Sequence, residues 1–160
     1  MGADAVVPFL NEVRALGRGG GIFVLVATSN PSAPDFQDSS TPPLYEMAAR
    51  LVAKLGEVGA SGYPDAGAVV GVTRPEVARK VRQLLPYALF LAPGYGAQKG
   101  DASGARALLD SRGAGVLVNS SRGIVRAFEE PAYFGSDYKS AALCAVRKMR
   151  EDLEAAGVRA

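Results

Sequence analysis

The sequence predicts an α/β protein built on a parallel sheet, and three observations carry that expectation. Short runs rich in Val, Ile and Leu recur at Ile22 to Val26, Ala66 to Val70, Ala88 to Leu91 and Gly115 to Val118, with a weaker one at Ala3 to Val7. Their continuous apolarity, without strict alternation, suits strands covered on both faces. Helical apolar patterns lie between them, and strands that alternate with helices require parallel pairing with right-handed crossovers, in an open doubly wound sheet or in a barrel. Gly-rich and polar segments follow Val26, Leu91 and Val118, the carboxyl ends of three strands, where both architectures bind ligands.

The helices follow in order. Leu44, Met47, Ala48, Leu51, Val52 and Leu55 fall on one face, with Thr41 as a candidate cap and Pro42 as a candidate first helical residue. Thr73-Arg74-Pro75-Glu76 has the spacing of a capping box, and Val77, Val81, Leu84 and Leu85 follow on one face. Ala102, Ala105, Leu108 and Leu109 make a smaller stripe, in a helix expected to begin near Asp101. Ala142, Val146, Met149 and Leu153 make the last one, which places Cys144 in an amphipathic helix as a packing residue.

Composition restricts the chemistry. The chain has 160 residues, one domain's length but short of the roughly 200 to 250 of a complete (β/α)₈ barrel, and 48% of them are apolar. It contains no histidine, which excludes Ser-His-Asp and Cys-His nucleophile systems, HExxH zinc sites and any histidine base. The single Cys144 can form neither an internal disulfide nor a zinc cluster, so no metal and a reducing cytoplasm are expected. Scattered basic residues with a net charge of +2 give no basis for nucleic-acid binding. No apolar run approaches a membrane span and no signal-like N-terminus is present, so the expectation is a soluble, untargeted chain.

Three loops hold the candidate site. Pro93-Gly94-Tyr95-Gly96-Ala97-Gln98-Lys99-Gly100 exposes backbone N–H groups before a helix, as a phosphate cradle does and as an ordinary strand-to-helix turn also does. Asn119-Ser120-Ser121-Arg122-Gly123 offers donors, with Arg122 able to grip two phosphate oxygens or to stand as a surface arginine. Two such loops after consecutive strands together favour phosphate. Ser29, in Thr28-Ser29-Asn30-Pro31, can offer a hydroxyl to a polar ligand but has no histidine to activate it, and Asp35 and Asp38 sit in a Pro- and Ser-rich stretch that reads as a solvated loop.

In this order and spacing, Thr28 to Ala33 (TSNPSA), Gly67 to Glu76 (GAVVGVTRPE), Pro93 to Gln98 (PGYGAQ) and Asn119 to Ile124 (NSSRGI) resemble the orotidine 5′-phosphate decarboxylases, in particular their longer bacterial subfamily. The resemblance runs from about Gly2 to about Met149. It implies a partial (β/α)₈ TIM barrel, roughly strands four to eight, as one incomplete domain over residues 1–160, with Gly2 to Val6 in the place of the fourth strand. It further implies decarboxylation of orotidine 5′-monophosphate to UMP in pyrimidine biosynthesis, without metal or organic cofactor, by a homodimer. Ser29 would contact the pyrimidine ring, Pro93 would wall the pocket, Gln98 would bridge ring and phosphate, and Arg122 would clamp the phosphate. The family's D-x-K-x-x-D array, whose lysine protonates the ring carbon, has no counterpart here. Asp137-Tyr138-Lys139 begins like it, but Ala142 stands where the second aspartate belongs, and Lys99 stands where the family usually has glycine. The chain alone is therefore expected to be inactive. The alternative reading is a noncatalytic phosphate-binding or assembly module that needs a separate N-terminal half or forms a homo-oligomer.

Overall fold

The computed structural model describes residues 2–96 and 100–158. Its elements alternate as expected: α1 (Ala3–Ala15), β1 (Ile22–Ala27), α2 (Ala33–Gln37), α3 (Leu44–Leu55), β2 (Ala66–Val70), α4 (Pro75–Leu84), β3 (Phe90–Ala92), α5 (Ala102–Arg106), β4 (Val116–Val118), α6 (Ser121–Val125) and α7 (Tyr138–Ala155). Four strands form one sheet in the order β1-β2-β3-β4, every pair parallel, so β1 and β4 are its two edges.

The weak run at Ala3 to Val7 is not a strand, and neither is Gly2 to Val6: both belong to α1. The apolar positions continue beyond Val7 at helical spacing, and Val6 and Leu10, four apart, are the two buried on the sheet side. Asp4 in the first turn and Arg14 in the last complement the helix dipole. Arg14 then anchors the helix end, pairing with Asp65 at 2.7 Å and Glu57 at 2.9 Å. Burial acts to raise the Asp65 carboxyl, but its bonds from Arg14 and the Glu57 N–H outweigh that and hold it below the usual range.

Two expected caps are placed differently for one reason: a residue before proline is kept out of the helical region. Pro42 precedes Pro43, so α3 starts only at Leu44 and Thr41 lies outside it. Arg74 precedes Pro75 and lies outside the helical region (φ −131°, ψ 82°), so it occupies the cap position of α4. Thr73 instead donates its hydroxyl to the Ser29 carbonyl at 3.2 Å. In α7 the sheltered line is Ala141, Ala145, Met149 and Leu153, while Val146 and Cys144 are exposed, so Cys144 is not a packing residue.

The sheet has one covered and one open face. Val24, Ala68, Phe90 and Val116 point toward the helices, with α3 lying over β1 and β2. The register sets Leu25 beside Val69, Leu91 and Leu117 on the other face, where Leu25 is 57% and Leu117 50% exposed. The two later strands are short, and Arg82, buried in α4, gathers carbonyls beside their starts. Its guanidinium donates to the carbonyls of Leu85 (3.0 Å), Ala88 (2.9 Å), Gly115 (3.0 Å) and Leu108, and stacks 3.9 Å from the centre of the Phe90 ring. Burial lowers its pKa to about 10, which leaves it charged at neutral pH.

Candidate functional site

The carboxyl ends of the strands are held together by bonds that continue the ladders into the loops. The N–H of Gly71 donates to Ala27 at 2.8 Å, that of Val72 to Pro93 at 3.0 Å and that of Asn119 to Ala92 at 3.0 Å. Glycines permit the closest approaches. A Cβ on Gly71 would lie 2.7 Å from Ser29 Cβ, and one on Gly104, in α5, only 2.0 Å from the Val72 carbonyl oxygen. The loop after β1 is fixed by Gln37, whose amide accepts from the Thr28 N–H at 3.3 Å and donates to the Thr28 hydroxyl at 3.0 Å.

The loop after β3 turns at Gly94 (φ +97°) and Gly96 (φ +72°), values that favour glycine. It closes on itself through Gly96 N–H to Gly100 at 2.8 Å and Gly100 N–H to Gly94 at 3.1 Å. Asp101 then caps α5, accepting from the N–H groups of Ser103 at 3.0 Å and Gly104 at 3.1 Å. In the loop after β4, the Ser121 hydroxyl donates to Asn119 Oδ1 at 3.1 Å and the Ser120 hydroxyl to the Tyr95 carbonyl at 3.0 Å.

These three loops enclose a cavity of about 220 Å³ lined by Ser29, Pro93, Gly94, Tyr95, Asn119, Ser120, Ser121 and Arg122. Ser29, Pro93 and Arg122 are thus brought to one pocket, as their positions in the sequence led us to expect. Gln98 and Lys99 lie outside the described residues. Among the described residues Arg122 is the only charged one in the lining, and its side chain makes no ion pair with another of them. A lining of hydroxyls, an amide and one guanidinium, with no carboxylate, suits an oxyanion. The volume is below the ~300 to 1,000 Å³ of pockets that enclose a whole drug-sized ligand.

Lys139 does not enter this lining. Asp137 caps α7, accepting from the Lys139 N–H at 3.0 Å and the Ser140 hydroxyl at 2.6 Å, so the Asp-Tyr-Lys segment is a helix start and not a proton-transfer array. Asp38 is engaged by Arg74 at 2.5 Å, a pairing that sequence spacing did not reveal because 36 residues separate them. A larger cavity of about 710 Å³, lined among others by Gly21, Phe23, Asp65, Gly67 and Leu89, opens at the other end of the strands. It is the open inner face of the sheet, and its Arg14 is already paired with two carboxylates. Among the described residues no His, Cys, Asp or Glu cluster is arranged to hold a metal, and no helix is long and apolar enough to cross a membrane.

Residues 1–133 match the family described as Orotidine 5′-phosphate decarboxylase / HUMPS family. The chain is 39% identical to the orotidine 5′-phosphate decarboxylase of Caldicellulosiruptor bescii, over 98% of this chain and 51% of that protein. It is 40% identical to that of Rhodopirellula baltica, over 96% of this chain and 53% of that protein. The chain therefore spans about half the length of the curated relatives it matches. Among solved structures, an orotidine-monophosphate-decarboxylase from Toxoplasma gondii superimposes with a TM-score of 0.72 at 32% identity, covering 98% of this chain and 57% of that one. The four-stranded sheet is thus a portion of a (β/α)₈ barrel, open on the side where the rest of such a barrel stands.

Proposed function

Because this chain belongs to the orotidine 5′-phosphate decarboxylase / HUMPS family, we propose that its cavity holds the phosphate end of orotidine 5′-monophosphate or UMP and that it is the nucleotide-binding portion of a decarboxylase of pyrimidine biosynthesis. The observation that carries the reading is the convergence of Ser29, Pro93 and Arg122 on one cavity whose only charged lining residue, among those described, is a cation. Arg122 clamps the phosphate, Ser29 meets the pyrimidine and Pro93 walls the pocket between them. Binding energy from the nonreacting phosphate then organises a site that acts on a distant ring carbon.

Decarboxylation breaks the bond from the ring carbon to the carboxylate, releases CO₂ and leaves an electron pair that must take up a proton. That step needs a positioned acid, and this chain has no D-x-K-x-x-D segment. We assign the acid to further polypeptide that completes the barrel against the open face bearing Leu25, Val69, Leu91 and Leu117, within a reducing, cytoplasmic setting that accords with the lone, unpaired Cys144. The test is turnover of orotidine 5′-monophosphate by the purified chain, alone and mixed with a polypeptide carrying the family's first barrel strands. No turnover alone and recovery in the mixture are expected. Turnover by the chain alone that Lys139→Ala abolishes would overturn the assignment.

A further inference from the structure

Tyr95, with Ser120, lines both the nucleotide cavity and a second cavity of about 350 Å³ on the far side of the same loop, between it and α7. That rear cavity, bounded by Tyr133, Ala145, Met149 and Asp152, separates Tyr95, Gly96 and Gly100 from close packing toward α7. Among the described residues one side-chain bond crosses it: the Tyr95 hydroxyl donates to Asp152 Oδ2 at 3.0 Å. Asp152 lies one turn beyond Lys148, with 3.5 Å between their charged atoms. On the other side, the Tyr95 carbonyl accepts from Ser120, whose neighbours Ser121 and Arg122 line the nucleotide cavity. Burial first, and then the bond to Asp152, push the Tyr95 hydroxyl up to about 12, so it keeps its proton throughout the neutral range.

We infer that Tyr95 is a positioning residue for phosphate binding: its hydroxyl, tied to Asp152, ties the two loops around the phosphate to α7 and holds them in the arrangement that receives the anion. The inference rests on the reading of the cavity as a nucleotide phosphate site. Rigid placement lowers the ordering cost of binding, and loss of one tether allows the loop to relax into the rear cavity.

The experiment is calorimetric titration of the 160-residue chain with UMP, together with thermal unfolding of each variant. Tyr95→Phe and Asp152→Ala should each weaken UMP binding about threefold to tenfold, the range of one hydrogen bond, and the double variant should be no weaker than either single one. Asp152→Asn keeps an acceptor oxygen and should bind UMP as the parent does, and thermal midpoints should stay close to the parent's. If the parent binds UMP and Arg122→Ala weakens it while Tyr95→Phe does not, the positioning role is overturned and the phosphate site stands. The role is likewise overturned if Asp152→Asn loses as much as Asp152→Ala, or if the loss follows a fall in thermal midpoint. If the parent does not bind UMP, or Arg122→Ala binds as well as the parent, the phosphate reading fails and the positioning role with it.

Discussion

The hydroxyl of Ser120 donates to the carbonyl of Tyr95 at 3.0 Å, fastening the loop after β4 to the loop after β3. Ser120 is 9% exposed, so the bond is largely shielded from water. Ser120→Ala should leave the Tyr95 carbonyl without this donor and cost about 1 kcal/mol in stability. Denaturant unfolding of the two chains measures this, and an unchanged midpoint would show that the loops are held by their backbone bonds alone.

Gly104 is the tightest contact between α5 and the loop after β2, because a Cβ there would lie 2.0 Å from the Val72 carbonyl oxygen. Gly104→Ala should therefore destabilise the chain by about 3 kcal/mol, despite alanine's better helix propensity. Thermal unfolding reads the effect, and a gain in stability would mean that α5 shifts freely.

Asp110 supplies the pH dependence. Burial acts to raise its carboxyl, but the Ala114 N–H, then the Arg112 side chain and N–H, outweigh that and hold it down to about 2. An unfolded aspartate titrates near 3.9, so the folded state binds fewer protons between these values. The stabilisation is complete above about pH 5, is lost as the pH falls through 4 toward 2, and amounts to about 2 to 3 kcal/mol. Asp110→Asn should be less stable than the parent at pH 7, and the gap should close at pH 2. A gap of equal size at both values would separate the effect from titration.

What the sequence made legible, and what it did not, follows from the range of the interactions. β1 and β2 stand out as Val- and Ile-rich runs, and the three loops at their expected strand ends meet in one cavity because parallel topology puts all carboxyl ends on one side. The segment Ala3 to Val7 misled because a five-residue window is too short to separate a strand from the first turn of an amphipathic helix. Arg82 and the Tyr95–Asp152 bond were invisible: Arg82 reaches Leu108 and Gly115, 26 and 33 residues away, Asp152 lies 57 residues from Tyr95, and no local spacing encodes them. Gly71 and Gly104 were visible as glycines, while the backbone and side-chain atoms they admit were not.

The open face makes a prediction about association. Leu25 and Leu117 are exposed on it and both lateral edges of the sheet are unpaired, a combination that favours pairing with another chain. Sedimentation of the isolated chain at micromolar concentration should show dimers or larger species, and Leu25→Glu with Leu117→Glu should shift them toward monomer. A parent chain that is monomeric under those conditions would count against the face as an association surface.

Arg122 brings the positive charge to the described lining of the cavity. Titration of the 160-residue chain with UMP should show binding that Arg122→Ala weakens by about 1.5 to 3 kcal/mol, the range for hydrogen bonds to charged groups, which is about 10- to 150-fold in Kd. Equal affinities for the parent and Arg122→Ala would contradict the assignment of this cavity to the phosphate.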